Sequence, residues 1–116
     1  MRDILLQCSG LTAIAAAMIH GVLSETRIFS RAQIEPRRLR TLIHWGWHIS
    51  TLAWIAGGVL LFAAPWMESD AARRWIVATF AVVCAFSALG NAWALRGRHF
   101  GWMLLAAVVV LAVAGA

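Results

Sequence analysis

Four largely apolar runs without Asp, Glu, Lys or Arg, at 4–23, 42–64, 75–95 and 100–116, alternate with short segments that hold every charged residue. A helix needs about 20 apolar residues to cross a bilayer core. The pattern therefore predicts an all-α fold, an integral membrane bundle of four transmembrane helices in a single domain spanning 1–116. At 17 residues the last run is the shortest of the four. Glu35-Pro36 predicts that the second helix begins near Pro36, because the residue before proline is driven out of the helical region while proline suits a first turn. Pro65 should end that helix, and Ser69 or Asp70 should cap the third. Gly97 between two arginines predicts a tight last turn, which makes the third and fourth helices antiparallel neighbours. Small residues at Ala13, Ala17 and Gly21, and at Ala53 and Gly57, read as seams where membrane helices approach closely.

Composition agrees: 62% of the chain is hydrophobic and 13% charged, beyond the apolar share of an ordinary soluble domain. All ten cations are arginine. Seven (Arg27, Arg31, Arg37, Arg38, Arg40, Arg96 and Arg98) lie on one side of the predicted membrane, and three (Arg2, Arg73 and Arg74) on the other. The positive-inside rule then predicts both termini outside, in the periplasm of a bacterial inner membrane, with the 24–41 loop in the cytoplasm. Tryptophans fall where interfacial anchors belong, Trp66 and Trp75 at the outer boundary and Trp45, Trp47, Trp93 and Trp102 near the inner one, with Trp54 at mid-depth. The formal net charge of +5 does not indicate nucleic acid, because the arginines flank spans and suit anionic lipid headgroups instead. The first run resembles a signal peptide in having Arg2 before it and Ala15-Ala16-Ala17 within it. The arginines that follow oppose translocation, so a retained helix is expected. Cys8 and Cys84 differ in depth by roughly 12 Å at 1.5 Å per residue, which excludes a disulfide between them.

Candidate chemistry gathers at the cytoplasmic end. His20 lies in the last turn of the first span, His44 and His48 in the first turns of the second, and His99 at the start of the fourth, with Glu25 and Asn91 at similar depth. Ionisable groups in a membrane are costly and demand a partner or a purpose. His44 and His48 share one helical face, and Arg40 continues it toward water. With His20 and Glu25 they form an N/O donor set suited to zinc, iron, manganese or copper(II); histidines on facing helices could equally hold haem b. On a continuous helix Glu25 is rotated about 140° from His20, so sharing a ligand requires the helix to loosen, which Gly21 and Ser24 permit. A loop arginine is the ordinary partner for such a carboxylate. Plain hydrogen bonding among headgroups or across the bundle carries equal weight for the cluster, and more for His99. Cys84, Ser87 and Asn91 share a face of the third helix and read as interhelical contacts, since a thiolate deep in an apolar span is disfavoured.

The segment His20-Gly21-Val22-Leu23-Ser24-Glu25, with Trp47-His48-Ile49-Ser50 after the loop, resembles an uncharacterised group of small bacterial four-helix inner-membrane proteins with the pattern H-S-x-L-G-E and then W-H-L-T/S. The likeness covers about the middle third of the chain. Glycine stands at 21 where the pattern has serine, and serine at 24 where it has glycine. The resemblance nominates His20, Glu25 and His48 and implies no mechanism. Size and helix count are also similar to those of the small multidrug transporters, but those depend on a glutamate in the first span, and 4–23 holds none.

The function expected from sequence is a metal- or haem-binding site made by His20, Glu25, His44 and His48. The alternatives are an anionic lipid-headgroup or polyprenyl-phosphate site at Arg37, Arg38 and Arg40, and an accessory subunit of a larger membrane complex. Membrane lipids, a further membrane protein or a second copy of the chain are the expected partners. No nucleophile-base constellation, Gly-rich phosphate loop or metal-spaced cysteine pair occurs.

Overall fold

A computed structural model describes residues 1–116. The chain is all-helical: α1 (Arg2–Leu23), a π-helical turn (Ser24–Ile28), α2 (Arg37–Ala63), a 3₁₀ turn (Ala64–Met67), α3 (Asp70–Ala94) and α4 (Gly101–Gly115). The helix-forming signals act where they stand. Pro36 is extended and serves as the N-cap of α2, and Pro65 falls in the 3₁₀ turn that ends it. The Ser69 hydroxyl accepts a hydrogen bond from the Ala72 amide at 3.2 Å, with Asp70 in the first turn. The 95–100 connection reverses through Arg96 and Gly97, both at positive φ (52° and 70°). That brings α3 and α4 side by side.

Only 20 of 116 residues are buried, while long apolar side chains such as Leu42, Leu52, Val82, Phe86 and Leu89 face outward. Much of the exterior is therefore apolar. The helices Arg2–Ile28, Arg37–Met67 and Asp70–Ala94 are each long and apolar enough to cross a membrane. The fourth, α4, has 15 residues, about 22 Å at 1.5 Å per residue, shorter than a bilayer core of about 30 Å. Among the tryptophans expected at the boundaries, Trp45, Trp66, Trp75 and Trp93 are all exposed.

Helix α1 is central, packing along both α2 and α4, while α3 lies on α4 and meets α2 only sparsely. The core runs through Leu6, Ala13, Leu61, Val77, Phe80, Cys84, Leu105 and Val108. Inside it the Ser9 hydroxyl donates to the Val108 carbonyl at 2.7 Å. The seam on α1 is as the spacing predicts, with Ala13 and Ala17 buried. On α2 it is displaced: Gly58 faces Gly10 so closely that a Cβ on either would strike the other's backbone, and Gly57 lies under the Phe80 ring. Ala53, assigned to the seam by spacing, is exposed. It shares the Gly57 face, which points toward α3 where the two helices part. Cys8 is exposed, Cys84 is buried, and both are free thiols.

Charged groups tie the opposite end of the bundle from the 24–36 connection. Arg73 of α3 donates to Asp3 Oδ1 of α1 at 2.7 Å and to the Gly115 carbonyl of α4 at 2.8 Å. The Arg2 guanidinium reaches the Ala116 carbonyl.

Candidate metal centre

The site begins with a local change in helix pitch. After Leu23 the chain leaves α-helical hydrogen bonding for one π turn, closed by the Phe29 amide donating to the Ser24 carbonyl at 2.8 Å. Hydroxyls crowd this turn: Ser24 Oγ donates to the Gly21 carbonyl at 2.6 Å and Thr26 Oγ1 to the Val22 carbonyl at 2.8 Å. Such back-bonding competes with the regular ladder and bends helices, and π turns recur at functional sites. The loosening that Gly21 and Ser24 permit is thus present, and it sends Glu25 toward α2.

There Glu25 Oε1 lies 2.5 Å from His44 Nε2 and 2.6 Å from His48 Nε2, and the two imidazole nitrogens are 3.2 Å apart. Glu25 takes these histidines, not a loop arginine, as partners. One carboxylate oxygen can accept from two N–H groups. The third edge of the triangle is then left as two ring nitrogens in contact with no proton between them. A cation at the centre would resolve that contact. Ligands about 2.05 Å from a tetrahedral zinc stand about 3.3 Å apart, so the N···N edge already has ligand spacing and the two N···O edges would open by about 0.7 Å. The His44 and His48 side chains are about one-third exposed and that of Glu25 is 52% exposed, so the triangle is open on one side.

The rings are held from behind. Phe29 is buried and packs its ring on His44 at 4.5 Å between centroids and edge-on against Trp47 at 5.8 Å. Arg40 donates to the Phe29 carbonyl at 2.6 Å, with its guanidinium 6.0 Å from the Phe29 ring centroid. Phe29 was not among the residues nominated from sequence; the only signal available was a single aromatic residue in the arginine-rich 24–41 connection.

His20 is not part of this triangle. Its Nε2 meets Ser50 Oγ at 3.1 Å, and its ring stacks on Trp47, whose indole N–H donates to the His20 carbonyl at 3.2 Å. His99 is likewise separate, with its Nδ1 accepting from the Gly101 amide at 3.0 Å. Of the three arginines considered for anion binding, Arg40 is committed to Phe29, whereas Arg37 and Arg38 are exposed at the start of α2. On α3 the stripe holds Cys84 in the core, and Asn91 Oδ1 is buried with no hydrogen-bond partner. The structure thus joins Glu25, His44 and His48 and leaves His20 to a different environment. Comparison with protein-family models, curated proteins and solved structures finds no match to this chain.

Proposed function

We propose that this chain is a membrane-spanning helical bundle that binds one divalent transition metal through Glu25 Oε1, His44 Nε2 and His48 Nε2. The observation that carries the reading is the convergence of these three donors, from the end of α1 and the start of α2, within 4.8 Å of one another. Two imidazoles and a carboxylate suit zinc, iron, manganese or copper(II). Three protein ligands leave a coordination position for water or another small ligand, and the exposed side of the triangle gives access to it. A single ion fits better than haem b. Axial histidines approach iron from opposite faces of the macrocycle, whereas His44 and His48 converge on one point from a single helix.

Membrane insertion in this reading rests on the apolar exterior and on the three helices of spanning length. The arginine bias favours a site at the cytoplasmic face, with both termini periplasmic. Elemental analysis and calorimetric titration of the detergent-purified chain with Zn²⁺ at pH 7.5 test the proposal. One equivalent should bind, and the His44→Ala/His48→Ala variant should lose it. Failure of the wild-type chain to bind any of the four metals, or binding that survives the double substitution, would overturn the reading.

A further inference from the structure

Beside His20 and Trp47 lies a cavity of ≈ 290 Å³ whose lining is predominantly apolar. His20, Trp47 and Trp54 contribute to its walls, and Arg27, Asn91 and His99 also line it. This size is at the lower end of small-molecule pockets and suits one substituted ring better than a whole lipid. Its polar inventory is specific. Asn91 Oδ1 is buried without a partner. At His20 the tautomer follows from its neighbour: the single Ser50 hydroxyl proton is donated to the Trp47 carbonyl at 2.6 Å. Ser50 Oγ therefore accepts from His20 Nε2–H, which leaves Nδ1 as a lone-pair acceptor. The His20 ring also has Trp54 at 4.5 Å between centroids, in addition to its stack on Trp47.

Two acceptors among aromatic and aliphatic walls call for a ligand with an apolar planar body and hydroxyl donors. We infer that this cavity binds a hydroxylated aromatic ring of the phenol or hydroquinone class, donating to Asn91 Oδ1 and His20 Nδ1. Arg27 also lines the cavity and could pair with a carboxylate or phosphate, but an anion brings no donor and would leave Asn91 Oδ1 and His20 Nδ1 unpaired. The inference is independent of the metal proposal, since neither acceptor belongs to the triangle.

The test is equilibrium binding to the detergent-purified full chain, without oxygen and with a chelator present so that no metal contributes. Hydroquinone is compared with its dimethyl ether, which keeps the ring and loses both donors. The hydroquinone should bind saturably and the ether at least tenfold more weakly. Asn91→Leu and His20→Phe, the second retaining a ring against Trp47, should each weaken hydroquinone binding at least tenfold. An alkyl-tailed hydroquinone that binds more tightly than the bare ring identifies a membrane-borne ligand, and equal affinities identify a free one. Equal binding of hydroquinone and ether, absence of saturable binding, or unchanged affinity in Asn91→Leu overturns the inference. The ether comparison uses the unaltered protein and does not depend on any variant folding.

Discussion

His20 and Trp47 stack with ring centroids 4.5 Å apart and planes 8° from parallel, while the Trp47 indole N–H donates to the His20 carbonyl. One aromatic residue thus lines the cavity and, through Phe29, supports His44 of the metal-ligating triangle. Replacing Trp47 by alanine should cost about 2 kcal/mol of stability, less than for a fully buried tryptophan because Trp47 is half-buried. It should also weaken metal binding about tenfold, the order expected when the support of a ligating histidine is lost. Trp47→Phe should retain most of both. Unfolding in detergent and Zn²⁺ titration of the two variants check this.

Within the triangle, His48→Ala or His44→Ala should lower metal affinity at least a hundredfold, and Glu25→Gln should weaken it less. His20→Ala and His99→Ala should leave it unchanged. A ligating imidazole must be neutral and a ligating carboxylate ionised, so metal binding should weaken on acidification. Affinity that rises on acidification would instead indicate anion binding by protonated histidine. Cobalt absorption and inorganic-phosphate binding, each followed across a pH series, separate the two.

The contact between Gly10 and Gly58 predicts a sharp contrast among glycines. Gly58→Val drives its side chain toward the Gly10 carbonyl and Ile14 and should destabilise the bundle by about 3 kcal/mol, the upper part of the range for overpacking. Gly46→Ala meets nothing within 4 Å and should stabilise α2 slightly, by up to about 1 kcal/mol. Denaturation of the two variants in the same detergent reads the difference directly.

Orientation is tested at Gln33, which is exposed in the connection before α2. With Cys8 and Cys84 replaced, a cysteine at Gln33 should resist an impermeant thiol reagent in intact bacterial cells and react after lysis. Labelling before lysis would reverse the orientation and move the triangle to the other face.

Much of the architecture was legible because the membrane-length apolar runs, Pro36, Ser69 and Gly97 act locally. The α2 seam was not legible: spacing alone cannot decide whether Gly57 or Gly58 faces α1, since that depends on how far α3 diverges. For the site, the four-residue spacing of His44 and His48 was sufficient to pair them. Glu25 joined them through the π turn, which shifts the helical phase at the point where α-helical geometry is assumed. His20 fell outside the triangle because Ser50 and Trp47, six and three residues beyond His44, offered it a closer partner and a stacking surface.

The Arg73 tie has a mechanical consequence. With α1, α3 and α4 fastened at one end, and α3 packed along α4 but only sparsely held by α2, α3 can tilt away from α2 only by sliding on α4, about a fulcrum at Arg73. Asn91 is 18 residues along α3 from there, an arm of about 27 Å at 1.5 Å per residue. A tilt of about 5° therefore swings Asn91 by roughly 2 Å, comparable to the difference between a made and a broken hydrogen bond. Arg73→Ala would release the fulcrum and leave every wall of the cavity chemically intact.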